Sequence, residues 1–273
     1  MTFFVKVIFF NLKFNIHTMK IVSYNLNGIR SAISKGLLDW IKEDNADIYC
    51  FQETKAHEID IDKAAFEKLG YNTYFFSAQK KGYSGVGVIS KHKPLDVIYG
   101  CGMEQADFEG RVIQLTFEHF HLINTYFPSG SSGDERQAYK MRFLNDYIDF
   151  IQDTFKNKHT KVIIAGDYNI CHQAIDIHDP KGNKDSSGFL PEERAWMDTF
   201  FACDMIDSFR TINTNPHQYS WWSFRANARN NNKGWRIDYI NVSKTLKDQI
   251  ADAAILPDIK HSDHCPVMLT LKL

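Results

Sequence analysis

No apolar run in this chain approaches the roughly 20 residues that a membrane-spanning helix needs. Cysteine is sparse. The five residues (Cys50, Cys101, Cys171, Cys203 and Cys265) are odd in number and widely spaced, with no CxxC. That excludes a zinc ribbon and a disulfide scaffold, and it points to a reducing, intracellular setting. An excess of charge is missing too. The formal net charge is -1, so any polyanion would have to be gripped by a local basic patch. There is neither a Walker P-loop nor a GxGxxG, which removes the two commonest nucleotide-cofactor motifs. Repeats and low-complexity linkers are also lacking. A chain of 273 residues without such a divider reads as one domain, large enough to bury its own core.

The first eighteen residues, MTFFVKVIFFNLKFNIHT, are rich in Phe but broken by Lys6, Asn11, Lys13 and Asn15. No small-residue cleavage site follows, so they do not read as a signal peptide. The expectation is a dispensable extension over 1–18, with Met19 as the natural start and 19–273 as a single catalytic domain. From Met19 onward, short β-rich runs are plain: KIVSYN, DIYCF, GVGVIS, RVIQLTF, HLINTYF, KVIIAGDYN and RIDYINV, with a last strand over Val267 to Leu271. Several are apolar on both faces, as in strands buried between layers. Helices are expected over Ile33 to Glu43, over Glu135 to Phe155 with Asp134 as cap, and over Pro191 to Cys203 with Pro191 at the first position. Strands outnumber helices without strict βαβ alternation. The fold class is therefore α/β, with two sheets packed face to face and helices outside.

Strand after strand ends in an oxygen ligand or a titratable group. Asn25 and Asn27 close the first, Glu53 the second, and Tyr126 the HLINTYF run; Asp167 and Asn169 close the apolar VIIAG run, and Asp238 lies inside RIDYI. Any one alone reads as an ordinary turn residue; together they read as groups converging on one mouth. The stretch HSDHCPV, residues 261 to 267, adds two imidazoles, a carboxylate and a thiol before the last strand. It reads as a metal site, an acid–base pair or a polar turn. Oxygen-rich ligands with few sulfurs suit a hard divalent ion such as Mg²⁺, and no His/Cys cluster has zinc spacing. Such an ion with neutral amides and a His suits an anionic phosphorus centre.

SYNLNGIR, CFQETK, NTYFPSG, AGDYNI, DPKGNKDSSGFLPEERAWMD, GWRIDYI and HSDHCPV, in this order, resemble the characteristic segments of the exonuclease III family of apurinic/apyrimidinic endonucleases. The likeness runs from about Met19 to Leu273. It implies the endonuclease/exonuclease/phosphatase fold, a four-layer α/β sandwich of two packed mixed β-sheets flanked by helices. It also implies a Mg²⁺-dependent DNA-repair nuclease (Mn²⁺ as a substitute) that cuts 5′ to abasic sites. The partner would be double-stranded DNA with abasic or blocked 3′ ends, and the 3′ ends would be trimmed by 3′→5′ exonuclease and 3′-phosphatase activity. Residue by residue, the resemblance makes Glu53 the main metal ligand with Asn25 beside it. Asp167 orients or deprotonates water and, like Asn169, reaches a metal position or a phosphate oxygen. Tyr126 hydrogen-bonds the phosphate. Asp238 and His264 form a carboxylate–imidazole pair, His264 also standing at the metal, and Asp263 lies close to the metal. His264 acts either as general base or as charged stabiliser. His261 is read as a surface loop residue and Cys265 as a small buried side chain.

The aromatic stretch YSWWSFR and the Asn-rich run up to Trp235 complete the pattern. Trp221 and Trp235, with Ile237, match the walls of the family's slot for a flipped, base-less sugar, which selects by shape. Asn227 and Arg229 match donors near that slot. Trp222 and Phe224 read equally as core. Asn27 stands where some members carry an acid, and Ser129 to Gly133 are small and polar where human-type members carry an arginine. Arg136, Lys140 and Arg142 read evenly as phosphate grips or as a solvated helix face. Lys80-Lys81 and Lys91-His92-Lys93 are candidates for a backbone track. The expectation is a cytoplasmic monomer without membrane contact. Two other readings stand: another phosphodiesterase or phosphatase of the same fold, acting on phosphoinositides, sphingomyelin or undamaged DNA, and a non-catalytic module that keeps only the fold.

Overall fold

The computed structural model describes residues 18–156 and 160–273. The extension expected over 1–18 lies outside the described residues except at Thr18, which opens the first strand. The strands are β1 (Thr18–Asn25), β2 (Ile48–Gln52), β3 (Asn72–Phe76), β4 (Val86–Ser90), β5 (Asp96–Tyr99), β6 (Val112–Thr116), β7 (His121–Tyr126), β8 (Val162–Asp167), β9 (Met205–Asp207), β10 (Asp238–Ser243), β11 (Ile250–Ile255) and β12 (Val267–Lys272). The helices are α1 (Ile29–Ser34), α2 (Leu37–Asp44), α3 (Lys63–Glu67), α4 (Glu104–Phe108), α5 (Asp134–Lys156), α6 (Pro191–Ala202) and α7 (Ser208–Ile212).

The strands form two six-stranded sheets, β11-β12-β1-β2-β4-β3 and β5-β6-β7-β8-β10-β9. Within them β1–β2 and β7–β8 are parallel pairs and the other pairs run antiparallel. Between the sheets lies one layer of apolar side chains, including Ile21, Ile48, Val88, Leu115, Leu122, Ile163, Val242 and Leu269. Fully burying such a side chain contributes roughly 1.5–3 kcal/mol. The outer face of the first sheet is covered by α1, α2 and α3 through Ile29, Leu37, Ile41 and Phe66. The outer face of the second is covered by α5 and α6 through Phe143, Tyr147, Ile151, Trp196 and Phe200. This is the four-layer sandwich expected from strands apolar on both faces.

Polar bonds pin the two sheets as well. Gln52 Nε2 of β2 donates to Asn124 Oδ1 of β7 at 2.7 Å, and Asn124 Nδ2 returns bonds to the carbonyls of Phe51 and Gly87. The three bonds of the buried Asn124 amide span both sheets and so fix the offset of the layers in a way that Leu would not.

One helix differs from expectation. The Ile33–Glu43 run is split, because Gly36 takes a left-handed backbone (φ 95°, ψ 18°) between α1 and α2. The long helix begins at Asp134, one residue earlier than read, and Pro191 does open α6.

Candidate active site

Strand register builds the site. In the second sheet Tyr126 of β7 lies opposite Asp167 of β8, and Asp167 opposite Asp238 of β10. In the first sheet Asn25 of β1 pairs with Gln52, whose chain neighbour is Glu53. Both parallel pairs end at the same edge of the sandwich, and the loop into β12 delivers His264 there. Gly166 lets β7 and β8 approach so closely: a Cβ on it would sit 1.8 Å from the Thr125 carbonyl oxygen.

At the centre, ligand atoms of Glu53, Asp167 and His264 lie within 4.8 Å of one another, a group able to hold a metal ion. Asn25 Nδ2 donates to Glu53 Oε1 at 2.9 Å and to Asp167 Oδ2 at 2.8 Å. Its oxygen accepts the Asn27 N–H, so here the amide offers the carboxylates hydrogen rather than offering an ion oxygen. Asp167 Oδ1 accepts the Asn169 N–H at 2.8 Å, and Asn169 Nδ2 donates to the Phe127 carbonyl at 3.0 Å. His264 Nδ1 stands 2.9 Å from Asp238 Oδ2, and its Nε2 stands 3.9 Å from Asp167 Oδ2. Ser220 Oγ accepts the N–H groups of Ile237 and Asp238, fixing the start of β10.

The electrostatics follow from burial and like-charge crowding. Burial, then Asp238 and Glu53, outweigh His264 and push Asp167 up to about 8. Burial alone would lower His264; Asp238 above all, then Asp167 and Asp263, reverse this and raise it to about 10. Burial would raise Glu53, but the ammonium of Lys55 and the Asn25 amide hold it below the usual range. Burial and Glu53, to which its hydroxyl is hydrogen-bonded, drive the Tyr126 hydroxyl up, so it stays a donor.

A cavity of about 410 Å³ opens on this cluster. It is lined by Glu53, Tyr126, Asp167, Asn169, Asp263 and His264 on one side, and by Gly188, Trp221, Trp235 and Ile237 on the other. The two indoles meet edge to face at 6.0 Å, and Trp221 Nε1 donates to Asp263 Oδ2 at 3.0 Å. Gly188 (φ 97°) packs so tightly that a Cβ there would meet the Trp235 ring at 2.9 Å. Asn27 lies at the rim, donating to Asp263 Oδ1 at 2.9 Å and accepting from Lys55.

Several expected residues stand elsewhere. Arg136 turns away from the cavity and shares Glu109 with Arg111, its guanidinium over the Tyr139 ring. Lys140 is 0 % exposed, so it grips no external phosphate. Lys91 to Lys93 follow Ser90, which pairs with Ile48 at the opposite end of β2 from Glu53. Asn227 is exposed at the end of a short 3-10 turn, and its oxygen accepts from Asn230. Arg229 lies on the Trp222 ring and donates to the carbonyls of Ser262, Pro257 and Ile259; it clamps the loop that carries His264 instead of facing the slot. Trp222 is core, but Phe224 is 75 % exposed. His261 lies in the loop before β12, half-buried with its ring against Trp40 and Tyr24. Cys265 is buried, as read.

Reading the sequence missed Lys55, inside the quoted QETK, and Arg111. The Arg111 guanidinium lies 4.7 Å from the centroid of the Tyr126 ring and donates to the Tyr126 carbonyl. A lone Arg opening an apolar strand is the one signal that pointed to it.

The sequence profile of the Endonuclease/Exonuclease/phosphatase family matches residues 22–264. An exodeoxyribonuclease of Bacillus subtilis (strain 168) is 44% identical over 93% of this chain and 100% of its own. A DNA-(apurinic or apyrimidinic site) endonuclease of Dictyostelium discoideum is 39% identical over 93% of this chain and 71% of its own. Among solved structures, a 3′ phosphatase from Neisseria bound to a product DNA hairpin superposes with a TM-score of 0.87 at 25% identity, covering 93% of this chain and all of that one.

Proposed function

The chain belongs to the endonuclease/exonuclease/phosphatase family, and from that premise we propose that it is a DNA-repair nuclease of the exodeoxyribonuclease and abasic-site endonuclease type. It hydrolyses the phosphodiester 5′ to abasic sites in duplex DNA and trims blocked 3′ ends. The observation that carries this reading is one cavity: the Glu53–Asp167–His264 cluster faces a slot walled by Trp221, Trp235 and Ile237. The cluster supplies hydrolysis of a phosphate ester. The slot offers an apolar wall against which a base-less sugar can pack.

The donor set fits a hard divalent ion. Two carboxylates, one buried and one half-buried, converge with their negative charge only partly offset by Lys55 and His264. Glu53 and Asp167 would hold Mg²⁺, with Mn²⁺ as a substitute, and the ion would offset charge on the phosphoryl oxygens. An imidazole held protonated by Asp238 has no lone pair to give, so His264 serves as the positive group facing the phosphate. Asp167, held between the Asn25 amide and the Asn169 N–H, orients the attacking water and takes its proton. The water oxygen bonds to phosphorus as the bond to the 3′ oxygen breaks, and the departing 3′ oxygen takes a proton from solvent to become the 3′ hydroxyl. Asn169 and the Tyr126 hydroxyl donate to the phosphoryl oxygens and hold them in line. Residues 19–273 form the catalytic unit, acting as a cytoplasmic monomer, and 1–18 are dispensable. Among the described residues no helix is long and apolar enough to cross a membrane.

The test is a duplex with a single tetrahydrofuran abasic analogue, incubated with Mg²⁺ and with EDTA. Cutting 5′ to the analogue, abolished by EDTA, is the expected result. Cutting of intact duplex at an equal rate would favour a general nuclease of the same fold.

A further inference from the structure

Lys140 is a basic side chain on α5 that reaches no solvent. Its Nζ lies 2.6 Å from Glu193 Oε1, and both residues are 0 % exposed. It also donates at 2.8 Å to the main-chain carbonyl of Asn169, a residue held in the left-handed region at φ 53°. Glu193 is tied in turn to the slot. Its Oε2 accepts the N–H of Gly188 at 2.6 Å and of Leu190 at 3.0 Å, and its Oε1 accepts from Gln137, whose own oxygen takes the Ser187 hydroxyl. Gly188 in turn abuts both the Trp235 ring and the Asn169 carbonyl.

Buried ion pairs seldom add net stability over an apolar pair of the same volume. Their value lies in fixing one arrangement out of several. This pair ties two pieces of the cavity, the Asn169 turn after β8 and the 187–188 wall behind Trp235, to the buried faces of α5 and α6. Leu or Met at position 140 would fill the space but would leave the strained Asn169 backbone free to relax. A shift of about 1 Å in a group that holds the reacting phosphate costs up to about 10²-fold in rate.

We propose that Lys140, paired with Glu193, is a positioning residue that locks the Asn169 amide to the sugar slot. This rests on the nuclease reading given above. It acts through Asn169 and touches no DNA.

The experiment is a double-mutant cycle on any duplex substrate the wild type cuts. Lys140→Met/Glu193→Gln removes both charges together, so no lone charge stays buried, and its melting temperature reports that it folds. With folding retained, kcat should fall about 10–100-fold, while KM changes little. In an Asn169→Ala background the same pair of changes should add almost nothing, because the group it positions is gone. Three results overturn the proposal: wild-type kcat in the folded variant, a loss carried by KM, or full additivity with Asn169→Ala. If the charge-free variant does not fold, Lys140→Arg takes its place in the same cycle. It keeps the charge but cannot place one donor on both oxygens, and it is judged by the same additivity. A wild type that cuts intact but not abasic duplex overturns the abasic-site reading alone, since the cycle is then run on the substrate that is cut.

Discussion

Lys55 Nζ stands 2.6 Å from Glu53 Oε2, and both residues hold left-handed backbones, at φ 48° and φ 49°. Non-glycine residues in that region cost on the order of 1–3 kcal/mol each, and here two of them flank Thr54 at the mouth of the cavity. The turn aims the carboxylate inward at the cost of local strain. It also sets a cation beside the same carboxylate that would hold a divalent ion.

Glu53→Ala removes that carboxylate and should raise the Mg²⁺ concentration for half-maximal rate by about tenfold or more. High Mg²⁺ should restore part of the activity, since Asp167 remains. Initial rates against Mg²⁺ concentration check it; undiminished activity at low Mg²⁺ would remove Glu53 from the metal site.

Asp167→Asn and His264→Asn each remove a group that holds charge or a proton at the reacting phosphate. Loss of such a group costs roughly 10²–10⁴-fold. Both variants should still bind abasic duplex, because affinity comes mainly from phosphate contacts. Gel-shift affinity measured beside single-turnover rates separates the two; parallel loss of binding and cutting would mean a structural role.

The raised pKa of His264 has a consequence for stability. The ordinary value is 6.5 and the folded value about 10. The folded protein binds this proton more tightly than the unfolded chain, so the contribution is fully present below about pH 6.5 and is lost as pH climbs through about 10. Asp167, raised from 3.8 to about 8, pulls in the same direction across a lower window. The melting temperature in EDTA should therefore fall between pH 6.5 and 10. The gap between wild type and His264→Asn should narrow over that range; a constant gap would mean that Asp238 does not hold the imidazole charged.

Much of this was legible because buried strands announce themselves. IYCF and VIIA are apolar on both faces, and they became β2 and β8 at the centres of the two sheets. The strands that escaped notice were those whose pattern is diluted. β3 and β5 are sheet edges with exposed or half-exposed positions, β9 has three residues, and β11 carries Asp252. The site was legible as polar residues at strand ends, since register alone brings Tyr126, Asp167 and Asp238 side by side. What spacing does not encode is the direction of a long side chain. Arg136, Lys140 and Arg229 carry the charges expected of DNA contacts, yet each turns inward to a carboxylate or to backbone carbonyls.

A chain beginning at Met19 should melt within a few degrees of the full chain and cut at the same rate. The only described pairing it gives up is Thr18 with Lys272, at the exposed start of β1. A large fall in melting temperature would show that the first residues pack against the domain.

The slot makes the sharpest prediction. Trp235 meets Trp221 edge to face, lies against Gly188 and faces the cavity beside Ile237, with no bond to Glu53, Asp167 or His264. Its contribution is therefore shape and stacking. Stacking of a base on an aromatic ring is worth roughly 1–3 kcal/mol in single-strand binders, and a sugar on an indole face should fall in or below that range. Trp235→Ser should slow abasic cutting by about tenfold while leaving Mg²⁺ dependence and pH profile unchanged, since no charged group moves. It should also widen the slot, so that a nucleotide bearing its base enters more readily. The measurement is the ratio of kcat/KM on an abasic duplex to that on the matched intact duplex, for wild type and Trp235→Ser. A ratio that falls assigns selectivity to the indole. A ratio that holds while both rates drop would make Trp235 a packing residue and leave abasic selectivity to another wall of the cavity.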